Sequence, residues 1–170
     1  MFTLDIKADR LTARLTALED ALDDMSPVMA DLGEFFVTST KDRFTEGKGP
    51  DGIPWAPKSE TTKAAYRARK DPVSDNPLWG PSGRLRTEIF AQAGPNSIEW
   101  GSNLVYAGVH QFGAQQGQFG AWIGKDKIGR DHFHSIPWGD IPARPYLGIS
   151  PEDELSAIDI IEEWLAGIGD

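Results

Sequence analysis

The chain has 170 residues, 39% hydrophobic and 25% charged, with a formal charge of −9. That composition fits one folded domain with one core and excludes wholesale disorder. The absence of cysteine excludes disulfides, thiolate catalysis and Cys-ligated zinc. No apolar run approaches the ~20 residues of a bilayer span, and Asp5 and Asp9 are out of place in a signal peptide. The expectation is a protein made in the cytoplasm with no membrane partner.

The charge is uneven: about −5 over residues 1–34, +3 over 35–94, 0 over 95–149 and −7 over 150–170. Such a chain is poorly equipped to grip nucleic-acid phosphates, which takes clustered Lys and Arg. It can still stand beside DNA without holding it.

Leu4, Leu11, Leu15, Leu18 and Leu22 recur at helical spacing, so residues 4–22 are expected to form an amphipathic helix. Ser26 and Pro27 then signal a second helix, with Ser26 as cap and Pro27 in the first turn. Met29, Leu32, Phe36 and Thr40 share its stripe, with Phe35 and Phe44 alongside. Residues 1–46 are therefore expected to be an antiparallel helical pair, and both apolar stripes are expected to pack in the core.

Residues 47–57 are rich in Gly and Pro around Trp55, an arrangement that pins a loop by its ring. A short basic helix is expected from Ser59, carrying Lys63, Arg67, Arg69 and Lys70. Residues 85–93 and 97–102 flank Gly94-Pro95-Asn96 and are expected to form a β-hairpin, with Ile98 and Trp100 on its buried face. Asn103 is then placed to cap a helix over residues 104–112, in which Val105, Val109 and Phe112 share one face and Tyr106 and His110 another.

Residues 114–140 are a Gly- and Gln-rich excursion carrying Phe119, Trp122, Phe133 and Trp138 with little periodicity. It is expected to project as an arm whose aromatics meet the domain or a neighbouring subunit. Residues 143–149 are expected to add an edge strand. Ser150, Pro151, Glu152 and Asp153 open a last helix with Leu155, Ile158, Ile160, Ile161, Trp164 and Leu165 on its apolar side, stopped by Gly167 and Gly169.

Chemistry finds little foothold. His132 and His134 have the spacing of a strand metal pair but lack further ligands, so no metal is expected. His110 has no nucleophile motif beside it and is expected to be a hydrogen-bonded structural residue. Glu88 and Glu99 on facing strands would be the carboxylate pair of a glycosidase, with exposed hairpin carboxylates as the simpler reading. No phosphate-binding glycine loop is present, and no catalytic residue or cofactor is expected.

The ordered blocks resemble a known family. Gly52-Ile53-Pro54-Trp55, Ser82-Gly83-Arg84-Leu85, Gly101-Ser102-Asn103, Tyr106-Ala107 with His110-Gln111-Phe112-Gly113, and Ile141-Pro142-Ala143-Arg144-Pro145-Tyr146-Leu147-Gly148 precede a terminal acidic helix. This order is similar to that of the phage virion morphogenesis proteins, the tail-completion proteins of Mu-like and P2-like phages. The resemblance implies an α+β, tail-terminator-like fold in one domain over 1–170. Its parts would be an N-terminal helical pair, a small antiparallel sheet with the projecting arm 114–140, and a C-terminal helix.

The resemblance also implies a non-enzymatic virion protein at the head-proximal end of the tail, assembled in the host cytoplasm. Its partners would be copies of itself in a ring, commonly a hexamer, the tail tube protein, and a head-tail connector or stopper. DNA would pass through the lumen without specific binding. The expected subunit or tube contacts are Phe119, Trp122, Phe133 and Trp138. Arg144 is a candidate for an ion pair between subunits, or for a partner within its own chain. A tail-associated wall hydrolase using Glu88 and Glu99, and a DNA-binding adaptor using Lys63, Arg67, Arg69 and Lys70, are the alternatives.

Overall fold

A computed structural model describes residues 8–72, 74–125 and 128–168. The architecture is α+β, with N-terminal helices, two antiparallel sheets of two strands each and a C-terminal helix. Contacts divide the chain into two compact units: Met1–Val37, Phe90–Trp100 and Pro151–Asp170 in the first, Thr38–Ile89 and Gly101–Ser150 in the second.

In the first unit, α1 (Asp9–Asp23) and the start of α2 (Ser26–Glu46) flank a turn at Asp24. The Asp24 carboxylate accepts both the backbone N–H and the hydroxyl of Ser26, so Asp24 supplies the capping oxygen expected from Ser26. Val28, Leu32 and Phe36 of α2 form the core. Onto them pack Ile98 and Trp100 of β2 (Ile98–Gly101) and Ala157, Ile160 and Trp164 of α6 (Pro151–Gly167). Trp100 stacks on Phe36 at 4.7 Å between centroids. Gly33 lets α2 approach β1 (Phe90–Ala93), where an added Cβ would stand 3.0 Å from that of Ala91.

The leucine stripe of α1 departs from expectation. The helix has no buried residue, and Leu11, Leu15 and Leu22 are 59%, 56% and 49% exposed. Leu4, the first member of the stripe, and Gly169, one of the two expected stops of α6, lie outside the described residues. The apolar side of α6 also splits in two: Ile160 and Trp164 face the core, whereas Leu155, Ile158, Ile161 and Leu165 are exposed.

The second unit holds α3 (Glu60–Arg69), α4 (Arg84–Thr87) and α5 (Ala107–Phe112). Ser59 caps α3 as expected, accepting from Thr62 N at 3.2 Å. Leu85 belongs to α4 and not to a strand: Gly83 turns the chain at φ 64°, and the first hairpin strand starts only at Phe90. Tyr106, not Asn103, stands at the start of α5. Val105 and Phe112, expected on an apolar face, are 100% and 81% exposed.

Two further segments differ from expectation. The excursion has a hairpin of its own, β3 (Ala121–Lys125) and β4 (Asp131–Ser135), in register from Ala121 opposite Ser135 to Lys125 opposite Asp131. Residues 143–149 form no strand. From Pro145 to Gly148 side chains take backbone groups that a strand ladder would otherwise use.

Candidate functional site

The dense sequence blocks meet in the second unit around the extended segment 141–148. Pro142 and Pro145 lack N–H donors, and other polar groups of the segment are satisfied from three directions. Arg43, near the end of α2 and only 5% exposed, donates through Nη1 to Tyr146 O and Gly148 O, both at 2.9 Å. Gln111 of α5 reads the segment like a paired strand: its Oε1 accepts Tyr146 N and Leu147 N at 3.0 Å, and its Nε2 donates to Leu147 O at 3.0 Å. Trp55, buried as expected, donates through Nε1 to Pro145 O at 2.8 Å.

The ring of Tyr146, 1% exposed, sits beside Phe44 at 5.4 Å, and Phe44 meets Trp55 edge-on at 5.6 Å. Burial pushes the Tyr146 phenol above its ordinary pKa. Two glycines permit the close approach. Gly113, at φ 74°, leaves no room for a Cβ, which would lie 2.7 Å from Ile141 O, and at Gly148 a Cβ would lie 2.7 Å from Pro50. The motif residues Trp55, Gln111, Gly113, Pro142 and Pro145 thus serve one knot.

Arg144 is 7% exposed and directs its guanidinium at its own chain, Nε to Ala56 O at 2.7 Å and Nη2 to Pro57 O at 3.0 Å. Of the two partners expected for it, the structure supplies the one within the chain, because burial places the fork among carbonyls. Its N–H also donates to His110 O at 2.8 Å. Half-buried His110 has no hydrogen-bond partner at Nδ1 among the described residues, unlike the satisfied histidine expected, and meets Tyr106 edge-on at 5.9 Å. Burial first, and then the charge of Arg144, hold its pKa below the ordinary range.

A cleft of about 440 Å³ beside this knot is lined by Lys58, Tyr66, Arg84, His110, Asp140 and Arg144 among others. Its buried cations are already engaged: Lys58 donates to Ser74 O and Trp79 O, and burial lowers its pKa. Of its hydroxyls, Ser59 Oγ pairs with Thr62 and Ser82 Oγ accepts from Arg84 N.

Ala114 and Ile141 exchange backbone hydrogen bonds of 2.9 and 2.8 Å and close the base of the arm. Within it, Phe119 N donates to Ile136 O at 3.1 Å, Ile136 N to Gly120 O at 2.7 Å, and Gln116 N to Asp140 Oδ1 at 2.8 Å. The four expected interface aromatics are all exposed: Phe119 55%, Trp122 45%, Phe133 71% and Trp138 69%. Strand alternation sets Trp122 and its partner His134 on one hairpin face and Ile123 and Phe133 on the other. Trp122 stacks on His134 at 4.9 Å, and its ring occupies the space a Cβ at Gly124 would need.

The other candidates are not assembled into sites. His132 stacks on His134 at 5.0 Å, and among the described residues no group of three or more His, Asp or Glu is arranged to hold a metal. Glu88 lies before β1 and pairs with Arg84, so the facing-strand carboxylate geometry is missing. Along α3, Lys63 pairs with Glu60 and Arg69 with Asp71. Sequence reasoning misses Arg43 as part of the knot. Its position three residues after Thr40, on the buried stripe of α2, is the available signal.

An extended segment knotted by side chains, with an aromatic hairpin closed off beside it, has the makings of a structural and interaction protein. The chain belongs to the phage virion morphogenesis family, whose pattern matches residues 6–166. Its role therefore lies in building the phage particle. Comparison with curated proteins and with solved structures gave no match.

Proposed function

We propose that the chain forms a ring, of six copies, at the head-proximal end of a phage tail, where it terminates or completes the tail and joins it to the head connector. The observation that carries this reading is the hairpin with exposed aromatic side chains on both faces. Large apolar surfaces left in water mark sites of association, and aromatics carry a large share of interface energy. A blade with two such faces is suited to lying between two neighbours, a subunit on one side and the tail tube or the next subunit on the other. The formal charge of −9 supports a lumen that lets DNA pass without adhesion.

The test is light scattering and electron microscopy of the purified protein with and without tail tubes. The expected outcome is a closed ring that caps tubes, and its loss on Phe133→Ser with Trp138→Ser. A strict monomer that never caps tubes would overturn the reading.

A further inference from the structure

We propose that the cleft of the second unit receives the outer face of α6, led by the Glu162 carboxylate, from a second copy of this chain. The two units differ in formal charge: the first carries about −13 and the second about +4. A surplus of each sign in different parts of one chain favours copies that meet head to tail, because the patch given and the patch received are not the same. Contacts of that kind can close into a ring.

The cleft holds charge that its own walls do not cancel. Lys58 and Arg144, 6% and 7% exposed, both line it, and neither forms an ion pair among the described residues. Their hydrogen bonds run to the neutral carbonyls of Ser74 and Trp79, and of Ala56 and Pro57. Those partners occupy donors and leave the charge standing. An ammonium has three N–H donors, of which Lys58 spends two, and Arg144 has no partner at Nη1 among the described residues. Asp75 acts on Lys58 from beyond ion-pair distance, and burial alone bears on Arg144. Asp140, in the same lining, accepts Gln116 N through Oδ1. Cations buried this far are costly until a counter-charge joins them. With Tyr66, Leu78 and Tyr106 also in the lining, the matching surface is a carboxylate set among apolar side chains.

α6 offers that surface. It carries acids and no Lys or Arg. One side packs on the core of the first unit through Ala157, Ile160 and Trp164. On the other side Glu162 stands among Ile158, Asp159 and Leu165, its neighbours at i−4, i−3 and i+3, and all four are exposed.

This inference deepens the ring reading by naming a contact between copies, and rests on that reading for the closure of the cycle. The cysteine-free chain permits a direct test on the full-length protein. Ser82→Cys, at the exposed rim of the cleft, and Leu165→Cys, beside Glu162, are placed in separate chains. Oxidation is expected to join copies in the mixture and in neither variant alone, and to fail when Ser97→Cys, on the exposed turn before β2, replaces Leu165→Cys. Ser82→Asp, whose carboxylate can still accept from Arg84 N, and Glu162→Lys are each expected to weaken association about tenfold, and the double exchange to restore it. Raising salt from about 0.05 M to about 0.5 M should weaken association of the unaltered protein. Cross-linking of either variant with itself as strongly as in the mixture would overturn the contact, as would failure of the double exchange. A tube-capping ring that gives no mixed disulfide would overturn the contact and leave the ring. Mixed disulfides between copies that never cap tubes would overturn the ring and leave the contact.

Discussion

The knot around residues 141–148 and the hairpin at 121–135 belong to the same compact unit and use their side chains in opposite ways. In the knot, Arg43, Trp55, Gln111 and Arg144 donate to main-chain carbonyls of their own chain. In the hairpin, the backbone satisfies itself and Phe133 and Trp122 are left outward. The first pattern stabilises a fold and offers little to a partner. The second contributes little to the fold and leaves apolar area for association.

The largest effect expected from breaking this contrast is on the knot. Phe44→Ala, at a side chain 1% exposed, should cost about 3–5 kcal/mol in denaturant unfolding, since it leaves a cavity between Trp55 and Tyr146. Next comes Arg43→Met, which strands the carbonyls of Tyr146 and Gly148 and should cost about 2–3 kcal/mol by the same measurement. Gly113→Ala combines a positive φ with a clash at Ile141 O and should cost about 1–3 kcal/mol.

Acid provides a gentler probe. His110 is held below its ordinary pKa in the fold by burial and by Arg144, so the unfolded chain binds the proton more readily. Its contribution is complete above about pH 6.5 and is lost as pH falls from there through the folded pKa, at no more than ~1.4 kcal/mol per pH unit. Thermal melts between about pH 7.5 and about pH 4.5 should show this fall, and His110→Gln should flatten it. The smallest effect on stability belongs to the hairpin: Phe133→Ser should change unfolding by within about 0.5 kcal/mol while weakening assembly.

Helices and capping chemistry are legible in the sequence because they depend on neighbours. Pro151 in the first turn of α6 and Ser59 before α3 are local signals, and both mark real starts. Residues 143–149 read as a strand because the extended pattern is right and the partners are out of sight. Only the fold brings the amide of Gln111 to stand where a ladder would be. The α1 leucines read as core because periodicity reports an apolar face and is silent about what covers it. The aromatic arm is recognisable by composition, but its hairpin is hidden by glycines and by strands of five residues each.

The pair of hydrogen bonds between Ala114 and Ile141 fixes the two feet of the arm side by side. What lies between them is thereby insulated, like an interchangeable tool in a fixed chuck. A change in the length of the chain between these feet would therefore leave the hydrogen bonds of the body that carries it in place.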